Sequence, residues 1–263
     1  MDWISLESRQ NPAVKQCAAL AENKSRAKEG LFLAEGVTLL FDFARENIFP
    51  EKLFLSKDAI AVKEKIDALL SSSDCRRYLV LPHVFEKLTT EKGSQGVVSL
   101  YSVEKITKAL PIRRHRSLIA LECVQDPGNV GTVLRTAAAF GFDGVCLVGG
   151  ADPFGVKTVR ASMGALCRIP VLRFPSTSEL FDYLEEKGVS SVAACLSATA
   201  KPIEACDLSH PVCIWIGNEG KGLSEEAQKR ANECGIIPME QMESLNAAVA
   251  ASVFMWEVKR RNL

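Results

Sequence analysis

The chain has 263 residues, 47% of them hydrophobic and 24% charged, with 32 Lys and Arg balancing 32 Asp and Glu. That composition supplies a sizeable core in one large or two ordinary domains and excludes a disordered, charge-dominated chain. It contains no apolar run of about 18 residues for a membrane span, and Met1–Gln10 lacks the cationic and apolar regions of a secretory signal, so a cytoplasmic location is expected.

In chain order, Asn11-Pro12 reads as an N-cap followed by proline at the first helical position, opening a helix through Val14, Cys17 and Ala21. A strand at 31–34 and a helix at 37–47 follow, with Leu40, Phe41 and Ala44 expected inward. Strands at 52–55, 77–81 and 96–103 alternate with helices at 59–70 and 83–88, which defines a small α/β domain over 1–104. The stretch 105–116, with Pro111 and the basic residues Arg113, Arg114 and Arg116, reads as a linker.

Beyond it, 117–263 reads as a second α/β domain. Continuous apolar runs at 117–124, 144–148, 191–196, 212–216 and 235–237 point to a mostly parallel sheet covered on both faces. Helical patterns intervene at 130–140, 157–166, 178–187 and 224–232, and a last helix at 245–261 ends in Lys259, Arg260 and Arg261. Nine cysteines without a CxxC pair and three scattered histidines give no metal-ligand spacing and suit reduced thiols. Gly150–Thr158 is one residue too long for a phosphate loop, and 217–222 is not the dinucleotide fingerprint.

Three polar segments follow strands of the second domain, where open α/β sheets bind ligands. The first is Asp126-Pro127-Gly128-Asn129, with Asn129 a candidate helix cap and Arg135 projecting from the helix beyond. The second is Ile216-Gly217-Asn218-Glu219-Gly220-Lys221-Gly222-Leu223, whose glycines permit close backbone approach. The third runs from Ile237-Pro238-Met239 to Ser244-Leu245-Asn246, where Ser244 or Asn246 can cap the final helix.

Taken together, D-P-x-N-x-G-x-x-x-R-T, I-G-N-E-G-x-G-L and I-P-M…S-L-N-x-x-V-A, in this order, resemble the SpoU (TrmH-like) family of S-adenosylmethionine-dependent RNA ribose 2′-O-methyltransferases of the SPOUT superfamily. Asn11-Pro12, Arg26, Gly30–Gly36 and Gln95-Gly96-Val97 are similar to that family's N-terminal RNA-binding domain, itself like small ribosomal proteins. Ala247, where relatives often carry Val, and the acidic stretch Met239–Glu243 depart from the pattern. The resemblance implies a C-terminal trefoil-knot domain and a homodimer without metal. It implies S-adenosylmethionine contacts at Gly217, Ile237 and Leu245, with Leu196, Ile216 and Met239 nearby. It also places Asn129, Arg135, Glu219, Ser244 and Asn246 around the acceptor ribose. Arg135 would orient the hydroxyl and bind phosphate, and Glu219 would hold Arg135 or its loop. Arg26, Arg113, Arg114 and Arg116 would contact RNA, with ribosomal RNA favoured over transfer RNA. A transfer-RNA enzyme and a catalytically inert RNA-binding protein of the same fold are the alternatives.

Overall fold

The computed structural model describes residues 3–90, 95–197 and 200–262. By internal packing the chain divides into two units: Met1–Ala109 with Phe154–Cys167, and Leu110–Pro153 with Arg168–Leu263.

The first unit contains β1 (Ile4–Leu6), α1 (Pro12–Ala19), α2 (Asn23–Glu29), β2 (Leu31–Glu35), α3 (Val37–Arg45), β3 (Lys52–Ser56), α4 (Lys63–Leu69), β4 (Arg76–Val80), α5 (Pro82–Phe85), β5 (Val97–Ser102) and α6 (Val103–Ala109). Its sheet has the order β1-β4-β3-β5-β2, with β5 antiparallel to both neighbours. Asn11 caps α1 as its Oδ1 accepts from the Ala13 N–H at 2.8 Å, and Pro12 stands at the first helical position. Helix α6 occupies the first part of the stretch expected as linker, and the two units divide directly after it.

The second unit contains β6 (Ser117–Glu122), α7 (Pro127–Phe140) and β7 (Gly144–Val148). The chain then passes through α8 (Val156–Ala161), which packs with the first unit, where Phe154 lies on Phe32 at a ring separation of 5.2 Å. It continues with β8 (Val171–Phe174), α9 (Thr177–Glu186), β9 (Ser190–Ala194), β10 (Lys201–Pro202), β11 (Val212–Ile216), α10 (Glu225–Arg230), β12 (Glu233–Ile236) and α11 (Ala247–Arg261).

The seven strands run in the order β10-β12-β9-β11-β6-β7-β8, and every pairing is parallel. Complete burial of β6, β7 and β11 explains their uninterrupted apolar sequences. On one face Trp215 of β11 stacks on Phe181 of α9, with centroids 4.2 Å apart and planes 9° apart. Strand β12 lies between β9 and β10, both of which precede it, so the connection between those two straddles a later strand. Such connectivity underlies threaded folds and is rare.

The chain leaves β6 towards β7 on one side, whereas β11 flanks β6 on the other. Ile216 pairs with Leu121, so Gly217 and Glu122 stand side by side at the carboxyl ends of the two central strands. That is the crevice position in which open parallel sheets hold ligands.

Candidate active site

The β6–α7 turn supplies the first wall. Pro127 at N1 and Asp126 at the cap, accepting from the Gly128 N–H at 2.6 Å, start α7 earlier than the hydrophobic pattern implies. Asn129 is therefore not the cap. It lies inside the first turn, buried, with its side chain free to bond outside the helix.

The second wall is the loop 217–223. A Cβ on Gly217 would lie 2.2 Å from the Gly222 carbonyl carbon and 2.3 Å from the Leu223 nitrogen, so only glycine fits this backbone crossing. Asn218 folds the loop: its Oδ1 accepts from the Gly220 and Lys221 N–H groups at 2.9 and 3.0 Å, and its Nδ2 donates to the Cys123 carbonyl at 2.8 Å. Glu122, buried at the end of β6, accepts from the Ser224 N–H at 2.7 Å and from the Ser224 and Thr177 hydroxyls. The loop is thereby pinned to β6 at both ends.

Glu219 joins the walls. Its carboxylate accepts from the Gln125 and Asp126 N–H groups at 3.1 Å each and from Asn129 Nδ2 at 2.9 Å. Partial burial raises the carboxyl pKa, but these hydrogen bonds to the charged form outweigh it and the net displacement is downward. Asn129 Oδ1 in turn accepts from Asn246 Nδ2 at 3.0 Å, and Asn246 Oδ1 caps α11 by accepting from the Ala248 and Val249 N–H groups at 2.9 and 3.2 Å. One hydrogen-bonded chain thus links all three motif segments.

A cavity of 420 Å³ opens beside this chain, a size suited to a small organic ligand. Leu196, Ile216, Gly217, Ile237, Met239 and Leu245 all line it, together with Glu219 and Ser244. Leu196 and Leu245 are 63% and 39% exposed, apolar surface that a flat apolar ligand group would cover. Asn129 and Asn246 line a second cavity of 400 Å³ with Thr132, Val249, Ser252 and Trp256, between α7 and α11.

Arg135 is exposed on α7 and lines neither cavity, so within this chain it does not join the other polar motif residues. Arg113, Arg114 and Arg116 are exposed, with Arg114 in a loose 3.8 Å pair with Asp143. Arg26, expected at the RNA, is turned inward. It is 7% exposed, and its guanidinium donates to the Leu20 and Ala21 carbonyls at 2.8 Å each, serving the C-terminal end of α1. Asn218, Glu122 and the N–H groups of Gln125 and Asp126 were not singled out from sequence. Of these, an asparagine between glycine-rich turns was the one legible signal. All nine cysteines are free thiols, and among the described residues no group of histidine, cysteine and carboxylate side chains has the geometry of a metal site. Among the described residues no helix is long and apolar enough to cross a membrane.

A parallel α/β sheet with a small-molecule cleft at its switch point, in a chain that also forms a mixed α/β unit, defines a two-unit ligand-binding protein. Residues 116–256 match the model of the SpoU rRNA methylase family, and residues 11–99 match the MRM3-like substrate binding domain. An uncharacterized tRNA/rRNA methyltransferase of Synechocystis is 32% identical, the match covering 99% of this chain and 95% of that one. The 23S rRNA (guanosine(2553)-2′-O)-methyltransferase RlmP of Bacillus subtilis is 30% identical over 97% of this chain and 98% of its own. The AdoMet-bound rRNA methyltransferase of Sinorhizobium meliloti superposes with a TM-score of 0.86 at 31% identity, covering 98% of each chain. The chain belongs to the SpoU rRNA methylase family.

Proposed function

We propose that this protein transfers a methyl group from S-adenosylmethionine to a ribose 2′-hydroxyl of RNA, with ribosomal RNA as substrate. The observation that carries the proposal is the hydrogen-bonded chain from the Gln125–Asn129 turn through Glu219 to Asn246 along the 420 Å³ cavity. The cavity fits the donor: a backbone crossing at Gly217 that no side chain could share, apolar surface at Leu196, Ile216, Ile237 and Leu245, and the Glu243 carboxylate, suited to a cation. When bound, S-adenosylmethionine supplies a methyl group activated by its sulfonium. Gly217, Ile237, Leu245, Leu196, Ile216 and Met239 are the residues assigned to hold it.

The ribose hydroxyl is a weak nucleophile and needs orientation and relief of its proton. Asn129, Ser244 and Asn246 are assigned to position it, and Glu219 to hold the turn that carries Asn129. Arg135 is assigned to an adjacent phosphate, because a guanidinium fork matches phosphate oxygens. Residues 1–104 are assigned to RNA recognition, 105–116 to the linker and 117–263 to methyl transfer. The groove between α7 and α11, where Val249 and Trp256 are each 49% exposed, supports a homodimer in which a second copy covers it. The expected site of action is the cytoplasm.

Incubation with radiolabelled S-adenosylmethionine and separated ribosomal and transfer RNA tests the proposal. Label in ribosomal RNA as alkali-resistant 2′-O-methyl nucleotides is the expected result. Label in transfer RNA alone would move the substrate, and absence of donor binding by calorimetry would favour an inert RNA-binding module. Arg135→Ala is expected to lower turnover at least 100-fold while leaving donor affinity within about 2-fold.

A further inference from the structure

Lys221 has no part in the assignments above, yet its surroundings are unusual. Among the described residues lining the 420 Å³ cavity it is the one cationic side chain, beside the carboxylates Glu219 and Glu243. Its ammonium forms no ion pair among the described residues. Glu219, two positions away, is unavailable as a partner because its oxygens are engaged by the Gln125 and Asp126 N–H groups and by Asn129. The backbone that carries Lys221 is fixed: its own N–H donates to Asn218 Oδ1, Asn218 is tied to Cys123, and Gly217 crosses against Gly222 and Leu223. A rigid loop therefore presents an exposed, unpaired cation at the mouth of the cleft.

We propose that Lys221 binds the RNA phosphodiester next to the acceptor ribose, an inference that rests on the methyltransferase reading. The two reactants carry opposite charge. The cationic donor suits the Glu243 carboxylate of the cavity, whereas the acceptor brings a phosphate on the carbon adjoining the reacting hydroxyl. An exposed ammonium at the rim meets the reactant arriving from solvent, and it favours negative charge growing on the ribose oxygen.

The test compares wild type with Lys221→Ala, Lys221→Gln and Lys221→Arg as full-length protein. The measurements are donor affinity by calorimetry and methyl transfer to ribosomal RNA over a range of salt. For Ala and Gln, KM for RNA should rise about 10-fold with donor affinity within 2-fold. The slope of log kcat/KM against log salt should become shallower by a little under one, and arginine should restore most of the activity. Donor affinity weakened 10-fold with an unchanged KM for RNA would overturn the proposal and assign Lys221 to the donor's carboxylate. Unchanged RNA kinetics in all variants would also overturn it. An inactive wild type would instead sink the methyltransferase reading itself, so the two failures are distinguishable.

Discussion

At Gly217 the side chain is excluded by backbone on the far side of the loop, not by another side chain that could swing away. Gly217→Ala must therefore open the 217–223 crossing, and overpacking of this kind costs about 1–3 kcal/mol. Calorimetry should record at least a 10-fold loss of S-adenosylmethionine affinity, while the fold, followed by circular dichroism, is retained. Binding within 2-fold of wild type would show that the crossing does not shape the donor cavity. The glycine itself was legible in the sequence, because three glycines after an apolar strand announce a close approach. Its collision partner was not, since Gly222 and Leu223 meet it only once Asn218 has folded the loop. Asn129 shows the same limit. As a helix-capping residue type it suggests a cap, yet Asp126 wins that place because Pro127 fixes the first helical residue, and the displaced amide bridges Glu219 and Asn246. The sequence likewise offers no sign that Arg26 is buried, because a single basic residue between two short helices looks like ordinary solvated surface.

At the scale of elements, α11 is locked near its end. Glu257 accepts from Arg260 Nε and Nη2 at 2.9 and 2.7 Å and from Arg261 Nε at 2.6 Å, and Arg261 passes on to the Ile203 and Cys206 carbonyls at 2.9 and 2.8 Å. The hydrogen bonds from Arg260 lead in lowering the Glu257 carboxyl pKa; burial opposes them, Arg261 adds to them, and the pKa falls from 4.5 to about 2. A carboxyl group depressed in the folded state stabilises fully above its unfolded value and loses that contribution as pH falls through the folded one. The melting temperature of wild type should therefore exceed that of Glu257→Gln by a few degrees above pH 5, the gap closing between about pH 4.5 and 2. A gap unchanged at pH 2.5 would contradict the lock. The basic end of this helix was visible in the sequence, but the carbonyls it reaches lie some 55 residues earlier and could not be. Long apolar strands and strongly periodic helices were legible for the same reason that they are buried. The strands Val171–Phe174 and Lys201–Pro202 were not, being short and partly exposed, with neighbours supplied by chain order. The insertion of β12 between β9 and β10 follows from no local pattern. Nor does any local signal announce that residues 154–167 pack with the first unit, where Phe154 joins Phe32 in an aromatic cluster.

Over the whole molecule the zero net charge conceals a division. Residues 1–116 hold 19 Lys and Arg against 15 Asp and Glu, an excess of four positive charges, and residues 117–263 hold 13 against 17, an excess of four negative ones. The basic half includes the span that matches a substrate-binding domain, and it closes on Arg113, Arg114 and Arg116, all exposed. Exposed charges are screened beyond about 8 Å at physiological salt, so a remote RNA phosphate responds to its nearest basic cluster and hardly to the protein's net charge. Each contacted phosphate of a single strand contributes about −0.7 to the slope of log affinity against log salt. Replacing Arg113, Arg114 and Arg116 together by glutamine should therefore weaken RNA binding at low salt and make that slope shallower by about two, while S-adenosylmethionine affinity stays unchanged. Fluorescence anisotropy with a labelled ribosomal RNA fragment at several salt concentrations measures both quantities. A parallel loss with an unaltered slope would mean that the arginines act through folding, and no loss at all would leave RNA attraction to the first unit alone. A slope change of about two would place RNA against the segment that joins the basic and acidic halves, at the amino end of β6, the opposite end of that strand from the cleft.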